Sequence, residues 1–451
     1  MRICLLSDGY PPWDAGGAQT ITARLAEGYV DNGHDAHVIT TVDDRADRGR
    51  SIENGVVVHR VWTPRPRCVL PYLTLRNPLV ADALPGLLTD IAPDVVHAHN
   101  VHYLSNESLR IADERGLPVV KTFHDAGTVS YGELTTVADR APDGFADDAD
   151  APALPDSAYK VSPVEQALEQ KLRYVPIRNP ANRRCLSRCV DVGIAVSRAL
   201  RRGLAVNGVD CSRVIHNGVD AARFDREADV AAPAEAEFRR RHGLGDGPFV
   251  CFAGRTSYEK GAAHLAAAFA DLVENRGAES ENGLTNARLL VTGDDSYVAD
   301  MRRIAGPAAD RIVATGWIPR PALRTALRSA RVVASPAVYL DPFPTVNLEA
   351  FAAGTPVVTT AFGGASELVD DGVDGRIVDP RDVRALADAL GPILGDADRA
   401  SACGASGREK VRDRFTLDAQ VEAYLEVLEA VRWGQRPPDE EGTTPPHESK
   451  W

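Results

Sequence analysis

DPFPTVNLEAFAAGTPVVTT, residues 341–360, decides the fold. It opens as a loop, with two prolines and a phenylalanine within four residues. It continues as a short helix that carries one acid, Glu349, and stops at Gly354. It closes as the apolar run TPVVTT, which reads as a buried strand. Two helical turns and a loop are enough to bring the carboxylates of Asp341 and Glu349 to one crevice.

The same rhythm runs outward on both sides. In the second half, FVCFAGR (249–255), ARLLVTGDD (287–295), RIVATGWI (311–318) and RVVASPA (331–337) read as strands. KGAAHLAAAFADLVENRG (260–277) and RPALRTALRSA (320–330) read as helices between them. In the first half the strands are RICLLSD (2–8), HDAHVITTV (34–42), DVVHAHN (94–100), LPVVKTFHD (117–125), DVGIAVS (191–197) and SRVIHNGVD (212–220). Strands that alternate with helices form parallel sheets with crossover connections. The chain is 451 residues long, too many for one core. Two Rossmann-like halves follow, alike in plan but not a sequence repeat.

The expected boundaries are a first domain at 1–220, a connection with one short helix at 221–246 and a second domain at 247–414. An amphipathic helix (415–433) and a disordered tail (434–451) complete the chain. Between about 132 and 157 an acidic, Pro/Ala-rich, aperiodic stretch reads as a mobile surface insertion.

Composition excludes some function classes. The formal charge is -13, which argues against nucleic-acid binding, because phosphate backbones select a basic face. Seven scattered cysteines with no C-x-x-C pair read as reduced thiols in a cytoplasmic protein. No run approaches the roughly 18 apolar residues of a membrane-spanning helix.

In such sheets ligands bind at the carboxyl ends of strands. Asp8, His99, Asn100, His124, Asp125, Ser197 and Asn217 fall there in the first half. In the second half Arg255 and Lys260 stand in GRTSYEKG, between a strand ending at Gly254 and a helix starting near Gly261. An arginine fork and a lysine point charge suit a diphosphate; two ordinary surface cations are the competing reading. Thr345, Val346 and Asn347 begin a helix, where free N–H groups and the dipole favour an anion. Glu349 is placed to accept ribose hydroxyls and Asp341 those of a sugar; a capping acid and a loop acid are the plainer alternatives. Gly16 and Gly17 follow a strand and precede a helix, but do not make a dinucleotide fingerprint. His97, His99 and His102 form an H-x-H-x-x-H string, in which the third lies beyond the strand end, so no metal site is expected. Asp294 and Asp295 read as a strand-end turn.

Taken together, GYPPWDAGGAQ, DVVHAHN, KTFHD, GIAVS, VIHNGVD, FAGRTSYEKG, TGW and DPFPTVNLEAFAAGTPVV with GGASELVDDGVDGRIV resemble the family-4 retaining glycosyltransferases. The resemblance runs from residue 1 to about 433. It implies the GT-B architecture: two Rossmann-like parallel-sheet domains facing across a cleft, with the sugar nucleotide held mainly by the second. It implies transfer of a sugar from a UDP- or GDP-linked donor to a glycan, lipid-linked or small-molecule acceptor. Anomeric configuration is retained, with no metal and no cofactor. By position, Arg255 and Lys260 would neutralise the leaving diphosphate and Glu349 would bind the ribose. Asp341 and the backbone of Phe343, Pro344, Thr345 and Val346 would hold the sugar and phosphate. His124 would contact the sugar near the reacting centre. Gly16 and Gly17 would approach the diphosphate and acceptor, Gly254 would belong to the donor site, and Gly316, Trp317 and Ile318 would flank the base. The final helix would pack back on the first domain.

One departure is visible. The family's first acid is usually glutamate, and Asp341 is one methylene shorter. That keeps open a non-catalytic nucleotide-sugar-binding subunit, and the shared architecture keeps open a nucleotide-sugar epimerase. The cations Lys171, Arg173, Arg178, Arg183, Arg184 and Arg188 lie in a stretch without acids. They suit anionic lipid at the inner face of a membrane, or simply offset the acidic insertion beside them.

Overall fold

The computed structural model describes residues 1–12, 16–65, 70–142, 145, 154–228, 231–276 and 284–435. The chain divides into two compact units. The first contains Met1–Glu133, Tyr159–Asn217 and the chain from Leu417 onward; the second contains Leu134–Ala158 and Gly218–Thr416.

The first unit is built on eight strands. They are β1 (Arg2–Leu6), β2 (Asp35–Val42), β3 (Gly49–Glu53), β4 (Val56–Trp62), β5 (Val95–Ala98), β6 (Val119–Phe123), β7 (Val192–Ala195) and β8 (Arg213–Val214). Their order is β3-β4-β2-β1-β5-β6-β7-β8. All neighbours are parallel except β3 and β4, which form an antiparallel hairpin. That hairpin departs from the all-parallel expectation. Its cause is Asn54-Gly55, both at positive φ (49° and 83°), which together make the tight turn that joins antiparallel strands.

The helix Leu417–Arg432 belongs to this unit. Val421, Tyr424, Val427 and Leu428 share the core with Ile3, Leu5 and Val95. The Thr122 hydroxyl of β6 donates to the Tyr424 hydroxyl at 3.3 Å, tying the end of the chain to the middle of the sheet.

The second unit has six strands, all parallel: β9 (Phe249–Gly254), β10 (Arg288–Gly293), β11 (Ile312–Ala314), β12 (Val332–Ser335), β13 (Val357–Thr360) and β14 (Gly375–Val378). Their order is β11-β10-β9-β12-β13-β14. A parallel sheet is covered on both faces, so its strands are near-continuous apolar runs. Phe249, Val250, Cys251 and Phe252 on β9 are all buried, as are Val332 and Val333 on β12. The helices Ala262–Asp271 and Val383–Gly395 supply one covering layer.

Two stretches differ from expectation. The start of the acid-rich insertion is packed, not peripheral: Leu134, Val137 and Ala138 are buried in the second unit. Leu340 N–H donates to the Leu134 carbonyl at 3.0 Å, and Arg381 donates to the carbonyls of Ala138 (2.7 Å) and Ala141 (3.1 Å). Leu134, Val137, Ala138 and Ala141 repeat at helical spacing, a stripe hidden by the acidic composition around it. The rest of that insertion, 143–144 and 146–153, and the tail beyond 435 lie outside the described residues. The connection at 221–246 contains two helices, Ala221–Ala228 and Ala231–Arg241. Arg324 grips Glu227 on the first of them with two hydrogen bonds, at 2.7 and 2.6 Å.

Each sheet has one point where the chain reverses its direction of progress across the sheet, between β1 and β5 and between β9 and β12. Ligands of open α/β sheets bind at the carboxyl ends of the strands beside such a point.

Candidate functional site

In the second unit the reversal point is occupied by charge. Lys260, on the loop after β9, places Nζ 2.9 Å from Oδ2 of Asp341, on the loop after β12. The Asp341 side chain is buried and the Lys260 side chain about one-quarter exposed, so the ammonium keeps access to a ligand. Lys260 also lies over the Tyr339 ring, 4.9 Å from its centroid.

The backbone here allows nothing larger than glycine at two positions. Gly261 has φ 77°, and a Cβ on it would meet the Pro336 carbonyl oxygen at 1.7 Å. Gly363 has φ 106°, and a Cβ would meet the Asp341 oxygen at 2.1 Å. These contacts press the loops after β9, β12 and β13 together. Asp341 N–H and C=O are both used, toward Phe362 (3.3 Å) and from Gly364 N–H (2.8 Å). Its carboxylate is thereby aimed by a fixed main chain.

The loop after β9 has a second tether. Asp294, after β10, accepts Thr256 N–H at 2.9 Å and the Thr256 hydroxyl at 2.8 Å. Burial opposes its ionisation, but hydrogen bonds from Ser296 and Thr256 outweigh that and hold its carboxyl below the usual range. This is the strand-end turn expected for Asp294. Arg255 stands exposed between Gly254 and Thr256.

The helix Thr345–Ala352 begins at Pro344 with no side-chain cap and no acid in its first turn. Its positive end is therefore undamped by protein carboxylate, a favourable place for phosphate. Asn347 anchors this helix from inside: its side chain accepts from Ser335 on β12 (2.7 Å) and donates to Thr359 on β13 (3.1 Å). Phe343 is buried and packs at 5.9 Å from Phe415, so only its main chain is available to a ligand.

Glu349 is buried, and its Oε1 accepts from Arg320 at 3.0 Å. Arg320 opens the helix Arg320–Ser329, directly after the Gly316-Trp317-Ile318-Pro319 turn. The sequence reading missed it; its signal was a cation at a helix start beside a recognised loop. Gly316 has φ 65°, and its carbonyl accepts Gly293 N–H at 3.0 Å, which joins the ends of β10 and β11. Trp317 is 70% exposed, an open ring face for a flat partner. The segments after β9, β11 and β12 thus carry Arg255, Lys260, Trp317, Arg320, Asp341 and Glu349 at the carboxyl edge of one sheet.

The remaining candidates belong to the first unit. Gly16 and Gly17 open the helix Gly17–Asp31 after β1. His124 follows β6, and its Nε2 lies 2.8 Å from Nδ1 of His99, which follows β5. The H-x-H-x-x-H string splits: His97 is engaged by Tyr29 (3.1 Å) and Thr122 (2.9 Å), and His99 by His124. Asp8 is a loop anchor, accepting N–H groups from His102, Tyr103 and Leu104. Asp125 accepts Asn100 Nδ2 at 3.1 Å and Gly127 N–H at 2.7 Å. Lys121, also missed, is buried within the apolar strand VVKTF and donates to the His99 carbonyl. Burial pulls its ammonium down to about 8, although Asp125 and Asp8 work the other way.

Burial holds His124 at about 4 and His97 at about 3, and the Lys121 charge pushes both the same way. His99 is also held well below its ordinary value, first by burial and then by His97, His124 and Lys121. At neutral pH these imidazoles are hydrogen-bonding groups, not cations. Between pH 6.5 and 4 the unfolded chain takes up protons that the folded one refuses, so stability falls as pH drops through that window. Each tenfold difference in proton affinity between the two states is worth about 1.4 kcal/mol, so the loss is expected to reach several kcal/mol. Melting temperature measured against pH should fall in that range, and His97→Gln should flatten the fall.

The tautomer of His124 follows from its neighbour. Among the described residues, His99 Nε2 is buried without a partner. A buried lone pair without a partner is tolerated better than a buried N–H without one. The His99 proton therefore sits on Nδ1 and donates to His124 Nε2, which leaves the His124 proton on Nδ1. Imidazole nitrogen NMR is expected to find His124 in the Nδ1–H form. His99→Phe should shift it toward the Nε2–H form; an Nε2–H form in the unmodified protein would contradict the assignment.

Among the described residues, no group of three or more His, Cys, Asp or Glu is placed to hold a metal ion.

Comparison with known proteins agrees with this layout. Residues 15–223 match the model of Glycosyltransferase Family 4, and residues 234–410 match that of Glycosyl transferases group 1. The chain is 31% identical over 345 residues to D-inositol 3-phosphate glycosyltransferase of Xylanimonas cellulosilytica, covering 74% of this chain and 71% of that protein. It is 32% identical over 268 residues to GDP-mannose-dependent alpha-(1-6)-phosphatidylinositol monomannoside mannosyltransferase of Mycolicibacterium smegmatis, covering 57% of this chain and 67% of that one. Among solved structures, sucrose-phosphate synthase from Thermosynechococcus elongatus superposes with a TM-score of 0.69. It covers 96% of this chain and 100% of its own, at 22% identity. Two parallel-sheet units of this plan are those of the GT-B glycosyltransferases. With both halves matched in order, the chain belongs to the group 1, family 4 glycosyltransferases.

Proposed function

We propose that this glycosyltransferase moves a hexose from a UDP- or GDP-linked donor to a glycan, lipid-linked or small-molecule acceptor in the cytoplasm. Configuration at the anomeric carbon is retained, and no metal takes part. The observation that carries this reading is the Lys260–Asp341 pair at the reversal point of the second sheet, beside an uncapped helix start.

Bond breaking leaves negative charge on the diphosphate. Lys260, Arg255 and the N-terminus of the helix Thr345–Ala352 stabilise that charge, the work that a divalent cation does in other transferases. Asp341, oriented by its main-chain bonds, accepts hydroxyls of the sugar, and Lys260 has donors left for phosphate. Glu349 accepts the ribose hydroxyls, with Arg320 holding its other side. Trp317 and Ile318, on the turn at Gly316, flank the base. His124, neutral and with Nδ1–H free to donate, contacts the sugar. The C1–O bond to the diphosphate breaks, a bond from the acceptor oxygen to C1 forms on the same face, and the acceptor proton passes to the departing phosphate oxygen. The GDP-mannose named for the mycobacterial relative favours a mannosyl donor as the first to try.

Nucleoside diphosphate release from UDP- and GDP-sugars, with and without acceptors and in the presence of EDTA, tests the reading. Acceptor-dependent release that survives EDTA, with product of unchanged anomeric configuration by NMR, is expected. Turnover of donor without any acceptor would instead favour the epimerase, and donor binding without turnover the binding subunit.

A further inference from the structure

The first unit carries a surface that the donor site does not use. The helix Pro163–Gln170 is followed by the turn Lys171–Arg173 and then by the helix Arg178–Cys189. Four large apolar side chains stand out from this segment: Val164, Leu168, Leu172 and Ile177. Leu172 is 99% exposed, so it projects from the surface with nothing at its flanks. Val164 and Leu168, one four-residue step apart, share a face of the first helix, and Leu172 follows on the turn beyond the break at Lys171, whose φ is 51°.

The same segment carries exposed cations. Lys171 and Arg173 flank Leu172 in the chain. Arg184 and Arg188 lie seven and eleven residues after Ile177, on its face of the second helix. All four are exposed and, among the described residues, none is in an ion pair. Residues 163–189 hold six cations and two acids, Glu165 and Glu169, in a chain whose formal charge is -13. Not all six cations face outward. Arg178 is buried and donates to the carbonyls of Gly127 and Ser130, and Arg183 leans on the Asn207 carbonyl at 3.4 Å. Burial of Arg178 corrects the six-residue cluster of the sequence reading to five exposed cations, one of which, Arg183, is tied down by that bond. The segment is also held in place: the Tyr131 hydroxyl bonds both the N–H and the C=O of Val175, each at 2.8 Å.

We propose that this face docks on a bilayer containing anionic lipid, with Leu172 and its apolar neighbours entering the boundary between headgroups and acyl chains. It deepens the proposed transfer reaction, which it rests on only for biological purpose, by bringing the enzyme to lipid-linked acceptors. Two features select this occupant. A projecting leucine between two exposed cations in the chain, with further exposed cations on the helix that follows, fits a soft, negatively charged interface. A second copy of the chain, meeting this face with its own, would oppose four cations with four.

Vesicle flotation tests the proposal without donor or acceptor, so failure of the donor assignment would leave the result intact. The protein should float with phosphatidylglycerol-rich vesicles at least about tenfold better than with phosphatidylcholine vesicles, and less well as salt rises. Leu172→Asp and the double variant Arg184→Glu/Arg188→Glu should each weaken flotation about tenfold. Their melting temperatures should match the parent. Equal partition to neutral and anionic vesicles, or variants that float like the parent, would overturn the proposal. So would a dimer in sedimentation that Leu172→Asp dissociates, which would assign the face to a second copy.

Discussion

Lys260→Ala is expected to lower kcat by about a hundredfold to a thousandfold, the cost of removing one preorganised group from a developing oxyanion. Lys260 stands where the loops after β9 and β12 meet, 2.9 Å from Asp341. Its removal has two consequences that must be separated. The diphosphate loses a cation, and the buried Asp341 carboxylate loses its partner, which itself destabilises the fold. The double variant Lys260→Ala/Asp341→Asn removes the second consequence but not the first. It should recover melting temperature and remain slow, and be slower than Asp341→Asn alone, which alters the sugar contact but keeps Lys260. Recovery of turnover along with stability would mean that Lys260 serves only the ion pair.

Glu349→Ala is expected to raise the donor KM by about tenfold to a hundredfold, the range for losing hydrogen bonds to a charged acceptor, and to lower turnover. Glu349 is buried and is bonded to Arg320 at 3.0 Å, so the carboxylate is oriented before any ligand arrives. Glu349→Gln keeps the volume but replaces one acceptor by a donor, and should fall between the two. Arg320→Ala leaves Glu349 in place but less fixed, so its effect on KM should be smaller than that of Glu349→Ala. Steady-state kinetics against donor concentration measure all three. An unchanged KM for Glu349→Ala would remove the ribose assignment.

Much of the framework was legible in the sequence because it depends on local pattern. Apolar runs ending in Gly, Asp or His marked the strands of both sheets, and Gly254, Gly316 and Gly354 marked their turns or the end of a helix. Placing Lys260 and Asp341 at strand ends required only the alternation of strand and helix. Their pairing at 2.9 Å required the strand order, in which β9 and β12 are neighbours although β10 and β11 lie between them in the chain. Arg320 as the partner of Glu349 was hidden for the same reason, since 29 residues separate them.

The hairpin at Asn54-Gly55 was available to local reading, because Asn-Gly between apolar runs is the strongest short hairpin signal. Burial of Leu134, Val137 and Ala138 was obscured by composition: the acids around them dominated the reading, and the helical spacing of the apolar residues was the better guide. Arg178 was read by its charge, whereas its place in the fold is set by the carbonyls of Gly127 and Ser130. Charge along a sequence does not report which side of a helix faces water.

Calorimetric titration of UDP and GDP into metal-free protein, in parallel with Lys260→Ala, tests the central claim most directly. One of the two nucleotides is expected to bind in EDTA, and Lys260→Ala to weaken that binding at least about tenfold through loss of a charge-assisted contact to phosphate. No heat with either nucleotide, or affinity that appears only when a divalent cation is added and ignores Lys260, would contradict it.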